Sequence, residues 1–253
     1  MFEILLALLA GIAAGALNAV GGGGTFVALP ALVALGLTPV TANALSRIAL
    51  VPGALAGAWV CRREIGPVGQ ASMRELTTVS TVGGGVGAGL LLVLPASSFD
   101  AAAPWLLAFA TVVLAFGRHV SQALSDRLGR SVALSSRAVL TGQFFIAVYG
   151  GYFGGAVGVM MLALWGIGLG LDPAAGNPMR IAQLAAIFAS ATVLFLVASD
   201  ALSAPLLLLA MLAGAVAGGY GGAHLARRLP AQLLRGVLLT TAVTTTVLYF
   251  LRG

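Results

Sequence analysis

The sequence predicts an all-α polytopic membrane protein made of two inverted repeats, and three observations support this prediction. They are an extreme composition, a series of apolar segments of membrane-spanning length, and a glycine-rich interruption that occurs twice. Of the 253 residues, 60% are hydrophobic and 8% are charged, and the mean hydropathy is +1.06. Soluble globular domains carry about 25% charged residues, so the composition excludes that class of protein.

Ten apolar segments predict helices, and crossing a bilayer takes about 20 residues. Two pairs, 2–20 with 25–36 and 137–150 with 155–170, contain a short member joined across glycines. Each pair is therefore one bent span, a hairpin or a re-entrant loop, and a simple count gives about 8 spans. Glu3 stands where a secretory signal would carry a basic residue, so we expect the first segment to be retained as a helix. The predicted helices are 2–20, 25–36, 42–61, 73–94, 102–119, 137–150, 155–170, 178–199, 204–226 and 231–251.

The arginines orient these helices. They concentrate in the connections 61–75, 118–137 and 227–235, and short cytoplasmic loops are enriched in basic residues. If each pair turns back on itself, all three connections share one face and both termini lie on the other. If each pair makes a single crossing, the third connection lies opposite the first two. The arginines therefore favour turned-back pairs, cytoplasmic basic loops and outward termini.

An internal repeat relates the two halves of the chain. The stretch Gly36–Asn43, which begins Gly-Leu-Thr-Pro, recurs as Gly170–Asn177, which begins Gly-Leu-Asp-Pro, and the same register lays Gly21 on Gly155. With turned-back pairs each copy makes an odd number of crossings, so the copies are inverted relative to each other, as in many secondary transporters. The predicted division is a first repeat over 1–119, a cytoplasmic linker over 120–136 and a second repeat over 137–253.

The glycine-rich interruptions are the predicted binding elements. Four consecutive glycines, Gly21–Gly24, follow the first apolar helix, and Gly154–Gly158 occupies the equivalent place in the second repeat. Glycine disfavours regular helix, and broken helix at membrane depth is tolerated where it is buried in protein or lines a polar cavity. The helix that starts after each break offers free N–H groups to an anion. The alternative is that the glycines serve only close helix packing.

These stretches resemble the sulfite exporter TauE/SafE family, and the resemblance spans essentially the whole chain. It implies a transporter of small sulfur-containing or carboxylated organic anions, such as sulfite or sulfonates, in the bacterial inner membrane. Arg47 departs from the family's pattern, where a small or neutral residue is expected, so the substrate can differ from the best-known ones. The matching motifs are Asn18-x-x-Gly-Gly-Gly-Gly-Thr25, Gly36-Leu-Thr-Pro39, Ala-Asn43-Ala, Pro52-Gly53-x-Leu-Ala-Gly57, Gly150-Gly-Tyr-Phe-Gly-Gly155 and the closing block Gly218–Pro230.

Arg47 and Arg180 lie at almost the same place in the two repeats, one short step after each break. An arginine at the bilayer centre costs about 2.5–3.5 kcal/mol, so such residues usually face a cavity or a partner. Their planar fork matches carboxylate and sulfonate oxygens two at a time. The alternative is that they reach the interface near their helix ends, with Asp172 as a partner for Arg180.

Other polar residues complete the predicted site. Asn43 and Asn177 stand at equivalent helix starts, where a capping role is at least as plausible as ligand binding, whereas Asn18 ends a helix and is the better ligand candidate. Polar side chains on the apolar helices of the second half would line a cavity or bond between helices. The predicted substrate-binding residues are Asn18, Gly22, Gly23, Gly24, Thr25, Asn43, Arg47, Tyr152, Gly154, Gly155, Asn177, Arg180 and Gln183.

The sequence argues against several other functions. All seven acidic residues fall at or near span ends, so a proton relay through a buried carboxylate is not supported. No nucleophile with a base and no metal-ligand cluster points to an enzyme, and the single cysteine, Cys61, excludes an intramolecular disulfide. We predict no cofactor, no metal and no nucleic-acid partner. The predicted partners are a small anionic substrate and the lipid bilayer, and a homodimer is left open. The predicted function is an exporter, with an anion channel or an uptake permease as alternatives.

Overall fold

The computed structural model describes residues 1–128, 134–226 and 231–252, for a minority of them the backbone alone. Within these ranges the chain forms ten α-helices, which confirms the all-α prediction. The helices are α1 (Phe2–Gly21), α2 (Thr25–Ala34), α3 (Pro39–Val60), α4 (Met73–Val93), α5 (Ala96–Leu128), α6 (Ser136–Tyr152), α7 (Val157–Leu169), α8 (Pro173–Ala198), α9 (Pro205–Ala226) and α10 (Ala231–Arg252), with a short 3₁₀ helix over Asp200–Ser203.

The described helices include membrane-spanning candidates, which supports a multi-pass membrane protein. Five of them are long and apolar enough to cross a bilayer. These are Phe2–Ala19, Met73–Val93, Ala96–Gly117, Ala174–Ala198 and Pro205–Gly222, and the shorter apolar helices are Thr25–Ala34, Val157–Leu169 and Gly236–Leu251.

Three predicted helix starts were wrong by three residues or more, and two of these errors share a cause. α3 starts at Pro39 instead of 42, and α8 starts at Pro173 instead of 178, because proline is well tolerated at the first helical position. Thr38 and Asp172 cap these helices by accepting hydrogen bonds from backbone N–H groups of the first turn. The third, α5, starts at Ala96 instead of 102 and continues to Leu128 instead of ending at 119, with Pro104 inside it.

The repeat also holds at the level of whole helices. In the register that lays Gly36 on Gly170, each helix of α1–α5 falls on its counterpart in α6–α10. The helix contacts show the same correspondence: α1 packs on α9 as α6 packs on α4, and α3 packs on α9 as α8 packs on α4. The division at 119 and 137 stays a prediction. Residues 129–133 of the predicted linker, with Arg130, and residues 227–230, with Arg227 and Arg228, lie outside the described residues.

The two halves are inverted relative to each other, as predicted. Arg47, near the start of α3, lies over Phe188 in the second half of α8. Gly57, near the end of α3, faces Ile181 near the start of α8. The equivalent helices α3 and α8 therefore run in opposite directions, which requires an odd number of crossings in each repeat.

The second glycine-linked pair is a hairpin, which was the favoured alternative. The backbone N–H of Leu134, just before α6, donates to the carbonyl of Gly168 at the end of α7 at 2.8 Å. Further along, a methyl group placed on Gly142 would lie 3.0 Å from the Leu164 side chain. The chain thus leaves the break in the direction from which it came, and the first pair, α1 and α2, is also in contact.

Glycines allow the closest helix approaches. A methyl group on Gly83 would lie 2.7 Å from the Ala147 side chain, and one on Gly84 would lie 2.8 Å from the carbonyl oxygen of Ile187. The glycine-rich stretch of α4 is therefore a packing face, as predicted, although a methyl group on Gly89 would meet no described atom within 4 Å. Small residues let helix backbones approach in a bilayer, and this packing holds the breaks in place between the repeats.

The packing of α5 on α10, which run in opposite directions because Trp105 meets Phe250 and Thr111 meets Thr246, can be tested directly. The hydroxyl oxygens of Thr111 and Thr246 lie 2.9 Å apart. In a Cys61→Ser background, we expect Thr111→Cys with Thr246→Cys to form a disulfide under mild oxidation, because sulfur atoms at these positions would need only a small shift to bond. Non-reducing electrophoresis after cleavage between the repeats would show the two halves linked.

The matched control moves one cysteine by a single position. The hydroxyl of Thr245 points elsewhere and donates to the Phe26 carbonyl oxygen, so Thr111→Cys with Thr245→Cys should remain unlinked. Equal cross-linking of both pairs would contradict the described register of α5 and α10.

Candidate functional site

The two glycine breaks meet inside the protein. Gly22 ends α1 in the left-handed conformation (φ +75°), and Gly154 and Ala156 take the same conformation between α6 and α7 (φ +80° and +57°). A methyl group on Gly22 would lie 3.5 Å from the backbone nitrogen of Gly158, in the first turn of α7. The break of one repeat therefore touches the helix that starts after the break of the other.

Arg47 is completely buried beside the second break. Its guanidinium lies so close to Gly154 that a methyl group there would overlap it. The Nη2 atom donates to Asn43 Oδ1 at 3.2 Å, and the guanidinium carbon lies 4.9 Å from the centre of the Phe188 ring. Among the described residues, Nε and Nη1 find no hydrogen-bond acceptor. A charged side chain of the first repeat thus reaches the break of the second.

Arg180 occupies the complementary position and is 2% exposed. A methyl group on Gly22 would lie 3.6 Å from its Nη1 atom, and one on Gly158 would lie 2.7 Å from it. Its Nε donates to Asn177 Oδ1 at 2.8 Å, whereas Nη1 and Nη2 have no acceptor in the part of the chain that the structure describes. The second guanidinium therefore lies where the two breaks meet.

Neither Asn43 nor Asn177 caps a helix, so the capping alternative is wrong for both. Asn43 and Asn177 lie one turn inside α3 and α8, because these helices start earlier than predicted. Each side-chain oxygen instead accepts a hydrogen bond from the arginine of its own helix. Asn43 also donates to the backbone carbonyl oxygen of Tyr152, 2.8 Å away at the end of α6. The partner suggested for Arg180, Asp172, caps α8 through Ala174 and Ala175.

Five other candidates divide into two groups. Asn18 and Thr25 flank the first break, are buried, and each has a side-chain oxygen without a hydrogen-bond partner among the described residues. In contrast, Gly23, Gly24 and Gly155 face apolar side chains or helix backbone. Methyl groups there would meet Leu238, Ala14 and Leu50, or Phe153 and Ala110, instead of a guanidinium.

Gln183 lies apart from the breaks. Its amide nitrogen points to α4, where it donates to Thr77 Oγ1 at 3.3 Å and approaches Met73 Sδ at 3.6 Å. The structure thus groups Asn43 and Arg47 with Gly154, and it groups Asn177 and Arg180 with Gly22 and Gly158. It places Gln183 in a different cluster.

Two contributors were absent from the predicted set. Gly158 packs on Arg180. Its position in the second glycine-rich break could have identified it from the sequence. Phe188 lies under Arg47, and nothing in the sequence distinguishes it from the other apolar residues of α8. Such a cation–π contact contributes about 0.5–2 kcal/mol, depending on burial. It holds the guanidinium against one side of the break.

A cavity that is open to the surface lies at the start of α3. It has a volume of about 220 Å³ and is lined by Val40 and Thr41 of α3, by the end of α4, and by Ala198 and Asp200 after α8. Thr41 is two positions before Asn43, the hydrogen-bond partner of Arg47. The cavity lies at the helix ends that are remote from the 61–75 connection.

The chain is similar to a family of known proteins. It matches the family described as Sulfite exporter TauE/SafE over residues 7–249, which is nearly its whole length. No curated protein and no solved structure matches the chain. The family is one of membrane transporters, in agreement with the helical multi-pass fold and the repeated glycine breaks. The chain belongs to the sulfite exporter TauE/SafE family.

Proposed function

We propose that this protein exports a small sulfur-containing or carboxylated organic anion, which binds where the two breaks meet. The observation that supports this proposal is the pair of buried arginines: Arg47 and Arg180 each keep two nitrogen atoms without an acceptor among the described residues. A buried charge without a partner carries a large desolvation penalty. A sulfite, sulfonate or carboxylate group would offset that penalty through two parallel charged hydrogen bonds to one guanidinium.

The position of the arginines fits a transport mechanism. Each guanidinium belongs to one repeat and lies against a break that involves the other repeat. In transporters with inverted repeats, one repeat rocks against the other around a site at their interface. A relative movement of α3 and α8 would therefore change the surroundings of both arginines at once. The bound anion would be released to one side of the membrane and then replaced from the other.

Export follows from the charge of the substrate. Moving one elementary charge through a membrane potential of about 100 mV is worth about 2.3 kcal/mol, and a potential that is negative inside the cell drives an anion outward. The cavity beside Thr41 would serve as the exit, since it lies at the helix ends opposite the basic 61–75 connection. We place the protein in the bacterial inner membrane.

The arginines provide the first test of the site. In purified protein, we expect Arg47→Met and Arg180→Met each to weaken sulfite binding about 10- to 100-fold, since hydrogen bonds to charged groups contribute about 1.5–3 kcal/mol. Thermal-shift titrations with sulfite, thiosulfate, sulfoacetate and acetate would measure this loss. Flux into liposomes should saturate with anion concentration, whereas single-channel currents would favour the channel alternative.

Arg62 provides the control for a general effect of charge. It is exposed and stacks on Trp59 at 4.4 Å, so Arg62→Met should leave the affinity unchanged. If the buried-arginine variants fold and bind every tested anion as tightly as the native protein, the proposed site is wrong.

Gly154 tests the contact between the break and the arginine. Gly154→Ala should abolish anion binding, because the added methyl group would displace the Arg47 guanidinium. The residue also has φ +80°, where a side chain costs about 1–2 kcal/mol.

Gly36→Ala is the matched control for this variant. Gly36 has φ +90°, and an added methyl group would meet no atom of the described residues within 4 Å. Gly36→Ala should lose only the stability that the left-handed conformation costs, as measured by thermal unfolding, and should keep full binding, whereas Gly154→Ala should lose binding. Equal binding by both would contradict the proposal.

A further inference from the structure

A second buried polar cluster lies on α4, α6 and α8. Gln143 on α6 donates to Ser80 Oγ at 2.9 Å, and Gln183 on α8 donates to Thr77 Oγ1 at 3.3 Å. Thr77 and Ser80 are three positions apart on α4, so their side chains are neighbours on one helix face. Ser80, Gln143 and Gln183 are fully buried. Two glutamines thus converge on one face of α4, away from the arginines.

The packing of the helices does not require this polar cluster. In the register of the repeat, its counterparts in the other half are Met211, Gly214, Leu9 and Ala49. None of these carries a polar side chain, yet α1, α3 and α9 pack on each other as α6, α8 and α4 do. A hydrogen bond between helices in a bilayer contributes about 0.6 kcal/mol. Helix association alone therefore gives no reason for four polar residues here.

The groups that remain free in the cluster are acceptors. Each amide nitrogen already donates, whereas Gln143 Oε1 and Gln183 Oε1 are buried and have no hydrogen-bond partner within the described ranges. A buried amide oxygen without a partner costs about 1–3 kcal/mol. An anion would need donors, so free acceptors disfavour an anion and are suited to a cation. Amide and hydroxyl oxygens are hard ligands, which bind alkali and alkaline-earth cations in preference to transition metals.

The neutral character of the cluster indicates the charge of that ligand. Its four side chains, Thr77, Ser80, Gln143 and Gln183, are uncharged, and divalent cations are usually bound with the help of carboxylates. We propose that this cluster is a binding site for a monovalent alkali cation, with the two glutamine oxygens and the two hydroxyl oxygens as ligands. Met73 and Thr77, which are only partly buried, lie at its edge next to the 61–75 connection and form the entrance.

A cation here would be linked to the anion site, and this step rests on the proposed function. Arg180 is three positions before Gln183 on α8, but its guanidinium points to α1 and α7. A cation near Arg180 would add to the local positive charge and thereby strengthen anion binding. The linkage is reciprocal, so the anion would strengthen cation binding by the same factor. The cation site would thus raise the affinity for the anion without a buried carboxylate.

The cation site can be tested without any transported anion. We expect the melting temperature of the purified full-length protein to rise saturably, by a few degrees, in NaCl or KCl relative to choline chloride at equal concentration. Choline is a bulky cation that oxygen ligands cannot approach closely, and chloride is common to all samples. Thr77→Val and Gln183→Leu should lose this difference, since each removes a ligand and nearly preserves side-chain shape. Their melting temperatures in choline chloride and their elution on size exclusion would show that they fold.

Ser190→Ala is the matched control. Ser190 lies in the same interface between α4 and α8, close to Gly84, but its hydroxyl donates to the Ile187 carbonyl oxygen. This variant should keep the full alkali-cation effect. An equal melting temperature in all three salts, or an effect that persists in Thr77→Val and Gln183→Leu, would overturn the cation site. Neither result would bear on anion binding, which is measured separately in choline salts.

Discussion

Two buried guanidinium groups at two glycine breaks are the constraint on which the rest of this structure depends. A side chain larger than hydrogen at Gly154 would overlap Arg47, and one at Gly158 would crowd Arg180. The breaks therefore have two roles: they interrupt the helices, and they provide space for charge inside an apolar protein. The asparagines one turn into α3 and α8 fix each arginine from its own helix. The inverted repeat then brings the first break against the helix that follows the second, where Gly22 approaches Gly158.

The symmetry of the fold makes its asymmetries informative. The backbone and the helix contacts repeat in the register that lays α1–α5 on α6–α10, but the side chains do not repeat in detail. Arg47 corresponds to Ile181, and Arg180 corresponds to Ser46, so the two arginines differ by one position and enter the site from different directions. The glutamines of the second repeat likewise have apolar counterparts. The helices are duplicated in the two repeats, but these polar side chains are not. They therefore reflect function more than folding.

The sequence was sufficient for the helices, the repeat and the residues at the breaks. Apolar runs of about 20 residues and tandem glycines carry that information locally. The predicted starts of α3 and α8 are wrong because Pro39 and Pro173 occupy the first positions of these helices. With the later starts, Asn43 and Asn177 fall at helix ends, where a capping role is expected. The contact of Arg47 with Gly154 joins two different repeats, so it depends on how the repeats pack. For the same reason Phe188 and the polar cluster on α4 could not be assigned from sequence.

The central claim is that an anion binds to Arg47 and Arg180 where the two breaks meet. Selenite has the shape and charge of sulfite, and selenium scatters X-rays anomalously, so a crystal soaked in selenite would locate the anion directly. We predict an anomalous peak within hydrogen-bonding reach of the free nitrogen atoms of Arg47 or Arg180, beside Gly154 or Gly22. Competition by sulfite should remove this peak. A peak elsewhere in the protein that sulfite displaces, with none beside either arginine, would contradict this account.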